Sequence, residues 1–177
     1  MKKLILLAGL PGSGKTTICR CMGEMTGIRY VDVDLYKKRR TDPTKVTEEV
    51  DSPKLRLLYC QDALEVAFGF FDDGASTVVM DEVYPYHSVR VKLEALCKEW
   101  DVQVLWVEVR SASGTAEKRL TSRQGHILLP LDKAVGIHRM CALVFEAFSA
   151  EISNHFVVNN EEDSNIDSLV ASILERI

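Results

Sequence analysis

Eight residues near the amino terminus, Gly9-Leu10-Pro11-Gly12-Ser13-Gly14-Lys15-Thr16, constrain this chain more than any other feature in it. An apolar run at residues 4–8 leads into them, and a helix-compatible stretch at 16–25, closed by Gly27, leads out. The spacing G-x-x-x-x-G-K-[ST] between a strand and a helix suits a chain of phosphates. Its glycines let the backbone wrap an anion, with successive N–H groups and the helix N-terminus pointing inward. The lysine reaches the β- and γ-phosphates, and the threonine hydroxyl is placed to ligate magnesium. Gly9, Gly12, Ser13, Gly14, Lys15, Thr16 and Thr17 are therefore the expected nucleotide-binding set, with ATP and Mg²⁺ as expected cofactors.

Around that loop, strands and helices alternate. Residues 29–34 read as a second strand, followed at 37–52 by a polar segment without apolar periodicity, expected to be a mobile element on the substrate side. Ser52-Pro53 is a helix start, and its apolar pattern runs toward Gly74. Strands are expected at 77–80, 102–109 and 156–158, and helices at 88–100, 115–123, 132–152 and 166–177. Such alternation implies a parallel sheet covered on both faces, with ligands at the carboxyl ends of the strands. No linker or repeat interrupts it, so one domain over 1–177 is expected.

Composition narrows the partners. The chain is 46% apolar and 27% charged, an ordinary folded balance, and its net charge of -4 argues against whole-surface attraction to nucleic acid or anionic lipid. Five cysteines without C-x-x-C spacing read as reduced, packed thiols, and no apolar stretch approaches the roughly 20 residues that span a bilayer. A cytoplasmic setting is expected.

Four further places carry chemistry. Asp81 ends an apolar strand, where it can hold a magnesium-bound water beside Thr16; Glu82 follows it and would also permit a hydrolytic ATPase. Asp32 and Asp34 alternate along the second strand, so that both carboxylates project to one side and one can accept a hydroxyl proton. Lys37, Lys38, Arg39 and Arg40 form a basic run just beyond them, most of which reads as a solvated helix end because charge runs usually mean surface. Arg119 and Arg123, four apart on the short helix, share a face that could close over a transferring phosphoryl group. The histidines lack metal-ligand spacing and are given no metal or catalytic role. Phe68, Phe70, Phe71, Phe145 and Phe148 read as helix-borne core.

In this order, the phosphate loop, the acid after strand two, the strand ending in Asp81 and the arginine pair resemble the P-loop kinase superfamily over nearly the whole chain. The compact form looks like the small phosphotransferases: gluconate and shikimate kinases, chloramphenicol phosphotransferase, zeta toxins and polynucleotide 5'-hydroxyl kinase domains. In the last group a base Asp is followed three positions on by an Arg, and the lid helix carries two Arg four apart. Asp34 with Lys37, and Arg119 with Arg123, occupy those places here, with a point charge at 37 instead of a bidentate fork. Glu82-Val83-Tyr84-Pro85 stands where shikimate kinases have a glycine-rich substrate loop.

The resemblance implies a three-layer α/β fold with a five-stranded parallel sheet and a short lid helix near 115–130. It implies an ATP-dependent kinase that transfers the γ-phosphoryl group to a hydroxyl of a small molecule or nucleotide. Lys15, Asp34, Arg119 and Arg123 are then the expected catalytic residues, Asp32, Asp34, Lys37 and Arg40 the substrate-binding ones, and Thr16 with Asp81 the metal ligands. Two alternatives stay open: a polynucleotide 5'-hydroxyl kinase, favoured by residues 37–40 and disfavoured by the acidic charge, and a regulatory nucleotide-dependent ATPase or switch. A GTPase switch lacks its N-K-x-D segment here, and an AAA-type ATPase is set aside because so short a chain has no room for the extra helical domain.

Overall fold

The computed structural model describes residues 1–40, 50–122, 133–152 and 154–177. Strands β1 (Lys2–Ala8), β2 (Arg29–Asp32), β3 (Thr77–Asp81), β4 (Val102–Arg110) and β5 (His155–Asn159) form one parallel five-stranded sheet in the order β2-β3-β1-β4-β5. Side-chain alternation along β1 generates two cores. Leu4, Leu6 and Ala8 pack with Tyr59, Leu64, Phe68 and Leu93 on one face; Ile5 and Leu7 pack with Ile18, Met22, Val170 and Ile173 on the other. A central strand buried on both faces needs an unbroken apolar run, which is what residues 4–8 supply.

Helices α3 (Pro53–Asp72) and α4 (His87–Glu99) cover the first face, and α1 (Lys15–Thr26) and α7 (Ile166–Leu174) the second. Their ends follow local chemistry. The Ser52 hydroxyl accepts the Leu55 N–H ahead of Pro53, and Gly27, at φ 74, returns its N–H to the Gly23 carbonyl at 2.8 Å. Among the described residues no helix is long and apolar enough to cross a membrane.

Two expected elements are corrected. β2 stops at Asp32, and Asp34 lies in the first turn of α2 (Val33–Arg40) instead of further along the same strand. Asp32 Oδ1 accepts the Asp34 N–H at 3.1 Å, so the first carboxylate caps a helix that carries the second, and strand alternation between them is lost. Residues 37–40 are consequently helical, not a loose segment; 41–49 of that expected element lie outside the described residues. The helix expected over 132–152 is only α6 (Ala134–Val144). Past it the chain runs back over α4, where Arg90 Nη2 donates to the Glu146 and Ala147 carbonyls at 2.7 and 3.2 Å and its guanidinium lies 4.0 Å from the Phe148 ring. Tertiary contact thus outbids helix propensity, and Phe145 and Phe148 sit beyond α6 instead of on it. The short helix expected after β4 is α5 (Ser113–Ser122); Arg123 and the remainder of the expected lid to 130 lie outside the described residues.

Candidate active site

The phosphate loop joins β1 to α1 at the carboxyl edge of the sheet, and its glycines are required by close approach. Gly9 has φ 147 and Gly14 φ 93; a Cβ would fall 2.3 Å from the Val109 carbonyl oxygen in the first case and 2.2 Å from Asn160 Nδ2 in the second. The loop is held from outside through its backbone. Asn160 Nδ2 donates to the Ser13 carbonyl at 2.8 Å, His138 Nδ1 lies 2.7 Å from the Pro11 carbonyl, and the Gly9 N–H reaches Val83 O at 3.3 Å. Ser13 Oγ is buried without a partner among the described residues, an orphaned donor that a phosphate oxygen would satisfy. Lys15 is buried, and its ammonium donates to the Gly9 and Leu10 carbonyls at 2.8 and 3.1 Å. Burial lowers its pKa, while the Asp81, Glu82 and Asp34 carboxylates oppose that shift. Thr17, on the same helical turn, is exposed.

Thr16 and Asp81 meet directly: the hydroxyl donates to Asp81 Oδ2 at 2.8 Å, and the Tyr30 hydroxyl donates to Oδ1 at 2.6 Å. Burial and the nearby carboxylate push the Tyr30 pKa up, so the phenol stays a donor. The oxygens of Thr16 and Asp81 fit magnesium, which takes one or two protein oxygens and completes its shell with phosphates and water. Among the described residues no cluster of three or more His, Cys, Asp or Glu side chains is placed to hold a metal.

Asp34 faces the same edge. Burial first, then the Glu82, Asp81 and Asp32 carboxylates, push its pKa up to about 7, against the pull of Lys37. Beyond it stands a chain of charges. Lys37 Nζ lies 2.5 Å from Asp51 Oδ2, Asp51 Oδ2 lies 4.0 Å from Arg56 Nη2, and Arg56 Nη1 pairs with Glu82 Oε1. The Tyr84 N–H donates to Glu82 Oε2 at 2.5 Å, and the Tyr59 and Tyr86 hydroxyls donate to Asp51 Oδ2 and its carbonyl at 3.3 and 3.1 Å. Burial opposes ionisation of Glu82, yet the Arg56 charge and the Tyr84 N–H outweigh it and hold the carboxyl below its ordinary range. A glutamate so committed is a poor base for water. Arg40 is also paired, with Asp62 at 2.5 and 2.6 Å.

Arg119 reaches the nucleotide end. Its Nη1 donates to the Asn160 carbonyl at 2.9 Å and its Nη2 to the Glu161 carbonyl at 2.8 Å, which ties α5 to the segment after β5, the same segment that holds Ser13.

A family model described as an AAA domain matches residues 4–133. The chain belongs to that AAA domain family. The matched region ends just before α6. The fold is that of small P-loop kinases. A sugar kinase from Janibacter sp. HTCC2649, in an unliganded structure, superposes with a TM-score of 0.74 at 16% identity, covering 99% of this chain and 94% of that one. A gluconokinase from Sinorhizobium meliloti 1021 superposes at 0.69 with 17% identity, covering 98% and 90%. No curated protein sequence matches the chain significantly.

Within this AAA domain several site residues escape a reading by motif. Arg56 carries a signal: residues 56, 59, 60, 63, 64 and 67 follow helical spacing, so position 56 belongs to the buried face of α3. Asn160 follows the last strand at the carboxyl edge, where ligands gather in parallel sheets. His138 shares the buried face of α6 with Ala134 and Cys141. Tyr30 shares a face of β2 with Asp32, and its register opposite Val79, two residues before Asp81 on β3, lets its hydroxyl reach Asp81.

Proposed function

We propose that this protein is an ATP- and Mg²⁺-dependent kinase that phosphorylates a hydroxyl of a small molecule. The observation that carries the reading is Asp34. A carboxyl raised to about 7 stands where it interacts with the phosphate-loop lysine on one side and with Lys37 and Glu82 on the other. A general base works best when its pKa is near the working pH.

In this mechanism the acceptor oxygen attacks the γ-phosphorus, its O–P bond forms as the bond to the departing ADP breaks, and the hydroxyl proton passes to Asp34. Lys15 leaves its carbonyl partners to neutralise charge between the β- and γ-phosphates, and Ser13 Oγ takes a phosphate oxygen. Thr16 and Asp81 would hold magnesium, whose charge offsets that developing on the leaving phosphate. Arg119 orders the lid side, and Arg123 is proposed to join it over the transferring group. Asp32 supports Asp34 by capping its helix. Lys37 and Arg40, which a nucleic-acid backbone would have to engage, are ion-paired with Asp51 and Asp62, so a small acceptor is the better reading. Glu82 is similarly committed to Arg56, which weighs against a hydrolytic switch.

The deciding experiment is a screen of hydroxyl compounds with ATP and Mg²⁺, read as phosphorylated product. Phosphorylation of an alcohol that disappears in Asp34→Asn supports the reading; ATP hydrolysis with no product from any alcohol removes it.

A further inference from the structure

We infer that the acceptor is an alcohol carrying no anionic group, an uncharged or amine-bearing sugar or polyol, and that the Lys37–Asp51–Arg56–Glu82 cluster excludes carboxylates and phosphate esters. This rests on the kinase reading above and specifies its acceptor. An anionic substrate group is recognised by a cation that can turn toward it, and Arg is the residue best shaped for the task. Besides Lys15, whose place is at the phosphates, the cations that act on Asp34 and Glu82 among the described residues are Lys37 and Arg56. Both are already held. Arg56 is 2% exposed, and its guanidinium is paired with Glu82, which is itself buried, and lies 4.0 Å from Asp51. Lys37 lies 2.5 Å from Asp51.

The pairs are locked at their acid ends too. Glu82 also takes the Tyr84 N–H, and Asp51 also takes the Tyr59 hydroxyl. An incoming carboxylate would have to displace Glu82 from a buried ion pair and leave that acid without its counter-charge beside Asp81 and Asp34, a loss that a new pair to the same Arg56 does not offset. The balance of charge points the same way. Asp32, Asp34, Asp51, Asp81 and Glu82 stand against Lys15, Lys37 and Arg56 among the described residues. Such surroundings tolerate a neutral hydroxyl compound and attract an ammonium.

The test uses gluconate and sorbitol, the same six-carbon chain with and without a carboxylate, titrated calorimetrically into the protein with ADP and Mg²⁺ present. The wild type is expected to bind gluconate no more tightly than sorbitol. Glu82→Gln keeps size and hydrogen-bonding capacity but leaves Arg56 without its counter-charge, and gluconate affinity should rise by about tenfold or more while sorbitol affinity stays level. Asp51→Asn, at the more exposed end of the cluster, should show the same direction through Lys37; it decides the matter if circular dichroism shows that the buried variant does not fold. Tighter wild-type binding of gluconate, or phosphorylation of a sugar acid, overturns the inference while leaving the kinase reading intact. Absence of any gain in the folded variants overturns the role given to the cluster. Failure of the kinase reading would register elsewhere, as ATP hydrolysis without a phosphorylated alcohol.

Discussion

At the nucleotide end, Ser13, Lys15 and Thr16 stand on one continuous loop and helix start, and the contacts that hold the loop, from Asn160, His138 and Val83, go to its backbone. At the proposed acceptor end, Asp51, Arg56 and Glu82 come from separate segments and meet through side chains, with Asp34 within their electrostatic reach through Glu82. Backbone cradles depend on glycines and a helix terminus, so they hold one ligand chemistry, the phosphate chain, over a wide range of surrounding sequence. Side-chain networks are set residue by residue. Exchanges at such a place are expected to change what is recognised, which makes the proposed acceptor end the adjustable part of this AAA domain.

The contrast can be broken most directly at Lys15. Lys15→Ala should cut turnover by about 10³-fold or more, because nothing else buried in the loop carries positive charge to the phosphates. Activity near wild type in steady-state assays of ADP release would contradict the assignment. On the acceptor side, Asp34→Asn should cost about 10²–10³-fold in phosphoryl transfer, the lower half of what a positioned base contributes, with ADP affinity unchanged by calorimetry. The wild-type kcat/KM should fall as pH drops through about 7, where the base takes up its proton, and that limb should be missing from the residual activity of Asp34→Asn.

Arg119→Ala sharpens the boundary between the two ends. Its guanidinium orders the Asn160 and Glu161 carbonyls, so the variant should raise KM for ATP as well as lower kcat, each by about tenfold. A change confined to kcat would place Arg119 wholly in the transition state. Thr16→Ala should weaken nucleotide binding with magnesium several-fold more than binding without it, since the hydroxyl is an oxygen ligand; equal losses would remove that role.

The smallest effect is on stability. The folded pKa of Asp34 lies above the ordinary carboxylate range, so between the two values the folded state holds the extra proton, and stability falls as pH rises toward about 7. Asp34→Asn removes that burden. Its melting temperature should exceed the wild type by a few degrees near pH 8, the gap narrowing toward pH 4, measured by calorimetric scans. A gap that widens on acidification would show that Asp34 is stabilised by its neighbours, contrary to the excess of acid around it.

The alternation of apolar strands and amphipathic helices determined the parallel sheet, and the G-x-x-x-x-G-K-T spacing determined the phosphate loop, because both are encoded by neighbours along the chain: side-chain period for the sheet, backbone freedom and helix start for the loop. Asp81 was legible for the same reason, as the polar end of an apolar strand. Asp34 was found by type but placed by the wrong rule, since nothing in the residues at 29–34 distinguishes a strand that continues from one whose last aspartate caps a helix. The pairing of Glu82 with Arg56, of Asp51 with Lys37 and of Asn160 with Ser13 joins residues 14 to 147 positions apart. Only the tertiary structure decides such pairs, because the energy of a buried charge depends on which other charge is brought within reach of it, and that distance is a property of the packed sheet and helices alone.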